Sequence, residues 1–117
     1  STLSHFRTRY NQYHTDADLV RARQHLPWIN VWDDHETGND SWLNGSEYFP
    51  DSADYALVKQ AATKTYFEWM PIRQDTINQE KIYRNFSFGN LADLVMLDTR
   101  REGREKQFTF TDSNTTI

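Results

Sequence analysis

Four ionisable residues stand side by side in the stretch WINVWDDHETGNDSW, residues 28–42: Asp33, Asp34, His35 and Glu36. They follow directly on the apolar run WINVW and open into a polar loop that contains Gly38. Carboxylates and an imidazole at this density are costly to bury without partners. A metal ion is the simplest partner. Carboxylate oxygens suit hard cations such as iron(III), calcium, magnesium and manganese, while imidazole also suits zinc and iron. Adjacent residues cannot all face one ion. On an extended segment successive side chains diverge, so one Asp can ligate while the next points elsewhere. His35 could instead meet a substrate as an acid or hydrogen-bond donor. Glu36 could orient it, as carboxylates behind a metal site do. The alternative is a solvated turn after a strand.

A second polar group, Asp98-Thr99-Arg100, follows the apolar run LADLVML. The Arg100 fork suits phosphate oxygens; the alternative is a salt bridge at a strand end. His5, His14 and His25 occupy polar or helix-end positions and are read as ordinary surface or half-buried residues. Trp28 and Trp32 share a face with Asn30 and read as core.

The elements that must position these groups follow from periodicity. Leu3, Phe6, Tyr10 and Tyr13 step three or four apart and predict a helix over 3–14. Thr15-Asp16-Ala17-Asp18 has the character of a helix start, so a second helix is expected over 17–25, with Leu19, Val20 and Leu26 inward and Pro27 ending it. Residues 28–32 read as a buried strand, and in open α/β sheets ligands sit beyond the carboxyl ends of the strands. Residues 37–52 read as a long loop whose Trp42, Tyr48 and Phe49 pin it or line a pocket. The clearest helix is 53–70, capped by Ser52, with Tyr55, Val58, Ala62, Tyr66 and Trp69 along one face and Pro71 as its stop. After a polar loop, KIYRNFSF (81–88) places Ile82, Phe86 and Phe88 on one face. Gly89-Asn90 predicts a two-residue hairpin turn, and 91–97 a more buried strand. Residues 101–117 turn charged and then Ser/Thr-rich, and are expected to fray.

Composition bounds the rest. The 117 residues suffice for one small domain. Aromatics reach 15%, yet mean hydropathy is −0.88, polar for a self-contained fold of this size. A net charge of −4 argues against a nucleic-acid-binding protein. The chain has no cysteine, which excludes a disulfide or a thiolate ligand within it. No apolar run approaches the roughly 20 residues of a membrane-spanning helix.

The segment LPWINVWDDHETGND resembles the PhoD-like alkaline phosphatase/phosphodiesterase family, whose signature is an apolar strand, Trp-Asp-Asp-His-Glu and a nearby Asn. The resemblance extends both ways. FRTRYNQYHTDADLVRARQHLPW resembles the family's helical approach, AATKTYFEWMPIR its helix end, and YRNFSFGNLADLVMLDTRREGR its strand pair. It covers nearly the whole chain, with the motifs in order. It implies an α/β fold, here a slice of a four-layer α/β/β/α metallophosphoesterase sandwich. It also implies metal-dependent hydrolysis of phosphate monoesters and diesters, with iron(III) and calcium as the metals. The substrate would be a phosphate ester, phospholipids and teichoic-acid-like polymers among the possibilities, and the enzyme an exported bacterial one.

By position in the motif, Asp34 falls at a metal ligand, His35 at the phosphate-contacting His and Glu36 at the carboxylate that orients it. Asp33 is a further metal candidate, and Asn39 a ligand or phosphate contact. The implied mechanism is two-metal hydrolysis, with in-line attack at phosphorus and the ions and His35 stabilising the phosphoryl charge.

The family's upstream Ser-Cys and Gly-Asp-x-x-Tyr motifs and its downstream Gly-Asp-x-His motifs are missing. Residues 1–117 are therefore read as an internal part of a single catalytic domain. That part is expected to be inactive alone and prone to self-association through exposed core faces. The competing expectation is a metal-stabilised binding or oligomerising module without chemistry.

Overall fold

The computed structural model describes residues 3–50 and 53–107. The predicted cap Ser52 and the tail beyond residue 107 lie outside them. Helix α1 spans Leu3–His14, α2 Ala17–His25 and α3 Ala53–Trp69, followed by strands β1 Arg84–Phe88 and β2 Ala92–Met96. The fold is mixed, with helices beside a small two-stranded sheet, consistent with the α/β expectation. Among the described residues no helix is long and apolar enough to cross a membrane.

The helices form where periodicity places them. Asp16 caps α2, its carboxylate accepting from the Leu19 N–H at 2.8 Å. The inward face expected for α2 is not formed, since Val20 and Leu26 are exposed and Leu19 is half-buried. Helix α3 buries Tyr55, Val58, Ala62 and Tyr66 of the predicted stripe, together with Thr63 and Thr65, while Trp69, the last residue of that stripe, is half-buried. Both threonines turn their hydroxyls onto carbonyls one turn back, Lys59 at 2.7 Å and Ala61 at 2.9 Å, which removes the cost of burying them. Pro71 follows the helix end as expected.

Helix α1 packs on α3 and, more lightly, on α2. An Arg7–Glu68 pair, bonded at 2.6 and 2.8 Å, joins α1 to α3. The core is small and aromatic. Trp32, Tyr66 and Ile82 are buried, flanked by Tyr10, Phe67, Met70 and Ile72. Trp32 meets Tyr66 edge to face at 5.4 Å between ring centroids, a preferred geometry for paired rings.

Five expectations are corrected. Residues 28–32 belong to no strand of the described residues, and Trp28, Ile29 and Val31 are each about two-fifths exposed. An apolar run reads as a strand only if neighbours take its backbone hydrogen bonds, and here Asn30 O receives an Arg84 guanidinium N–H at 2.6 Å. Trp28 is thus not core; it lies under the Arg23 guanidinium at 5.6 Å.

The hairpin pairs Phe88 with Ala92, so its loop is three residues, not two, and Gly89 takes φ 57° at its first position. Strand β2 is also not buried: Leu94, Val95 and the following Leu97 are exposed, and Leu91 in the turn is 90% exposed. Finally, the start of the supposedly frayed tail is tied down. Arg101 is buried, and Arg104 O accepts from Leu43 N at 2.9 Å.

The loop after residue 36 is folded by its own short bridges, Trp42 with Gly45 and Ser46 with Phe49. Trp42 is buried, and its carbonyl accepts from the Tyr55 hydroxyl at 3.0 Å, which pins the loop to α3. Tyr48 is 72% exposed and pins nothing.

Candidate functional site

The acidic cluster sits in a turn built around Asp34, itself only 4% exposed. Its carbonyl accepts from Thr37 N and Gly38 N, both at 2.9 Å, and from the Ser41 hydroxyl at 3.2 Å. Its carboxylate accepts from Asp40 N at 2.8 Å. That last bond is made from a left-handed residue, Asp40 at φ 49°, a conformation short polar residues tolerate better than most. The buried carboxylate is thus fixed by backbone, not by a mobile side chain.

Around it the remaining groups converge. His35 Nδ1 lies 3.3 Å from Asp33 Oδ2 and 3.7 Å from Asp34 Oδ1. His35 Nε2 lies 2.9 Å from Asn39 Oδ1. Arg100 reaches in from the far end of the hairpin, with Nε 3.1 Å from Asp33 Oδ1 and Nη1 3.4 Å from Asp34 Oδ1. Of the residues singled out in sequence, Asp33, Asp34, His35, Asn39 and Arg100 come together. Glu36 is in the turn but does not orient His35. Its carboxylate accepts from Asp33 N at 2.5 Å, because it folds back over the start of its own turn. Asp98 serves structure: it accepts from Trp32 Nε1 at 3.0 Å and from Arg100 N and Arg101 N.

The electrostatics follow from these distances. Hydrogen bonding to Asp34 and then to His35 pulls the Asp33 carboxyl down to about 2, with the Arg100 charge adding to it. The bond to Asp33, the Asp34 charge and the contact with Asn39 raise the His35 imidazole above its ordinary value. Asn39 Oδ1 accepts, so Nε2 carries a hydrogen. Nδ1 is then the nitrogen turned to the two carboxylates, where a bare lone pair would be repelled and either a proton or a cation is favourable.

One ligand atom from each of Asp33, Asp34 and His35 lies within 4.8 Å of the others. Two hard oxygens and an imidazole nitrogen at that spacing could hold a metal ion. The set fits the hard cations expected from sequence, and the Arg100 guanidinium supplies positive charge beside both carboxylates.

Sequence reasoning missed two residues. Arg101 is 2% exposed, lies 4.0 Å from the Trp32 ring centroid, and donates to Thr63 Oγ1 at 2.6 Å. Burial lowers its guanidinium's pKa. Its only sequence signal was its place after Asp98-Thr99-Arg100. Glu47 accepts from Asn39 Nδ2 at 2.7 Å; a loop contact of this kind has no periodic signature.

Beside the cluster, His35 and Glu36 form one wall of a cavity of about 700 Å³ whose other walls include Phe6, Tyr10 and Tyr13 of α1 and Arg23 of α2.

A family model described as PhoD-like phosphatase matches residues 1–117. Alkaline phosphatase D of Bacillus subtilis (strain 168) is 37% identical over 103 residues, covering 86% of this chain and 18% of that protein. The chain therefore spans less than a fifth of that relative's length. No solved structure matches.

Proposed function

The chain belongs to the PhoD-like phosphatase family, and from that premise we propose that it forms part of the active site of a metal-dependent phosphate-ester hydrolase. The observation that carries this reading is the convergence of Asp33, Asp34 and His35 within 4.8 Å, inside the stretch that resembles the family's Trp-Asp-Asp-His-Glu signature.

In this reading Asp34 and Asp33 are the metal-holding carboxylates, iron(III) and calcium being the cations the resemblance implies. A hard cation held there supplies Lewis acidity toward phosphoryl oxygens. The chain's own residues do the rest. Asp34 is held rigid by Asp40 N. His35, beside the two carboxylates, presents a ring N–H as a donor to a phosphoryl oxygen. Arg100, two of whose N–H groups now rest on Asp33 and Asp34, can offer them to the substrate's non-bridging oxygens. Glu36 shapes the turn by holding Asp33 N. The substrate is a phosphate monoester or diester, phospholipids and teichoic-acid-like polymers being candidates, and an exported bacterial enzyme is its setting.

These residues supply part of a metal shell, and the remaining ligands of the four-layer sandwich come from elsewhere in a complete catalytic domain. The chain alone is expected to be inactive. The test is hydrolysis of a chromogenic phosphodiester, with iron and calcium added, by the complete domain carrying this stretch, beside Asp34→Ala and His35→Ala. Loss of activity in both supports the reading. Equal activity in all three proteins overturns the assignment of the site.

A second reading, an oligomerising module, is favoured by one observation: Leu91, Val95 and Leu97 are exposed on the hairpin. Sedimentation of this chain that does not change with concentration would overturn it.

A further inference from the structure

We infer that Asp98 is a positioning residue for Arg100, and that the indole N–H of Trp32 is what anchors Asp98. Arg100 and the acidic turn are distant in the chain and meet at the candidate site, where Arg100 Nε lies 3.1 Å from Asp33 Oδ1 and Nη1 3.4 Å from Asp34 Oδ1. A long arginine side chain loses much rotamer freedom when it is fixed. It stays in one place only where the backbone that carries it is already placed. The Asp98 carboxylate places it with both oxygens. Oδ1 accepts from Arg100 N at 3.1 Å and from Arg101 N at 2.9 Å, which bends the chain after β2 and sets where the Arg100 side chain starts. Oδ2 accepts from Trp32 Nε1 at 3.0 Å, and Trp32 is the residue immediately before Asp33. One planar group therefore joins the start of the acidic turn to the bend that carries Arg100.

The surroundings make this seam rigid. Trp32 is buried, with its ring packed edge-on against Tyr66 and Phe67, so Nε1 is a fixed donor. Arg101, next in the chain after Arg100, lies 4.0 Å from the centroid of the same indole and donates to Thr63 Oγ1 at 2.6 Å. The bend is thus pinned on the far side of Arg100 as well. Arg84 ties β1 separately to the run before the turn, through Asn30 O at 2.6 Å. The hairpin therefore has a hold on this run that does not pass through Asp98. An amide could not replace the carboxylate. It has one acceptor oxygen, and its NH2 group would face N–H donors on the other side, so either the bend or the anchor would be lost.

The importance of the seam for catalysis rests on the phosphatase reading above; the seam itself does not. The deciding measurement is therefore made on the metal-free, substrate-free chain. The 1H–15N heteronuclear NOE of the Arg100 Nε–H reports whether that side chain is fixed, with Arg100→Lys identifying its signal. In the native protein it is expected to match the backbone amides of α3. Asp98→Asn should bring it near zero, as for a freely moving side chain. Trp32→Phe keeps an aromatic ring while removing the donor, and should fall between. Arg84→Leu loosens the hairpin elsewhere and should leave Arg100 fixed.

A mobile Arg100 in the native chain overturns the inference. So does an Arg100 as rigid in Asp98→Asn as in the native protein, or one freed as fully by Arg84→Leu as by Asp98→Asn. If Asp98→Asn does not fold, Trp32→Phe decides, an unchanged signal there counting against the anchor. In the complete domain, Asp98→Asn should lower kcat/KM by about tenfold, roughly one hydrogen bond to a charged group, and no further in an Arg100→Ala background. An equal loss in both backgrounds overturns a role exerted through Arg100. A native domain without hydrolysis overturns the phosphatase reading instead, and the Arg100 signal still decides the inference.

Discussion

The helical part of the molecule and the β-hairpin use similar residues to opposite effect. Around α3, Tyr55, Val58 and Tyr66 are buried and Trp32 and Ile82 join them. On the hairpin, Val95, Leu97 and Phe88 are left exposed, and β1 and β2 pack chiefly on each other. Apolar content is therefore not what separates a core from a surface here. A helix can satisfy its own backbone and needs only one neighbour to cover its stripe. A strand pair leaves two faces and two edges to be covered by other elements. The candidate site lies at the seam. Its carboxylates come from the turn after Trp32, and Arg100 comes from the end of the hairpin.

The largest effect should come from the helical side. Trp32→Ala removes a ring packed against Tyr66, Phe67 and the Arg101 guanidinium. It should cost about 3–5 kcal/mol, read by denaturant unfolding, and a loss under 1 kcal/mol would mean the core is not where burial places it. Next comes the turn. Asp34→Ala removes the buried carboxylate that accepts from the Asp40 N–H and should cost about 1–3 kcal/mol, while also removing an oxygen of the proposed metal site. Calcium or iron titration of the two proteins by calorimetry separates these losses.

A smaller effect is expected at the α1–α3 surface pair. The bond from Arg7 lowers the Glu68 carboxyl below its usual range. A depressed carboxylate contributes stability above its unfolded pKa, and that contribution fades as pH falls through the folded one. Glu68→Gln should therefore narrow its deficit to the native protein on acidification, and in high salt. A deficit independent of both would mean the pair acts through packing. Smallest is the hairpin. Val95→Thr should change stability by no more than about 0.5 kcal/mol, and a loss as large as that of Trp32→Ala would erase the contrast between the two regions.

Much of this was legible in the residues, for reasons that differ by element. Helix α3 was, because Tyr55, Val58, Ala62 and Tyr66 repeat at the helical period whatever lies around them. The acidic turn was too, since Asp33, Asp34 and His35 are neighbours in the chain and needed only one bend to converge. The state of 28–32 was not. Whether WINVW pairs as a strand is decided by partners outside the run, and so is the burial of β2. Arg101 was hidden because a buried cation announces itself only through what stacks on it. That Asn39 and not Glu36 meets His35 was hidden too, because reach depends on the direction of the turn, which includes Asp40 in left-handed space.

That same Asp40 nitrogen has a bearing on how the site ages. Spontaneous deamidation of an asparagine begins when the backbone nitrogen of the next residue attacks the side-chain carbonyl. For Asn39 the attacking atom is Asp40 N, whose hydrogen is held by the Asp34 carboxylate at 2.8 Å and whose strained turn is fixed by that bond. The contact that immobilises a buried acid therefore also shields the neighbouring amide from chemical decay, and keeps a further negative charge from appearing beside His35.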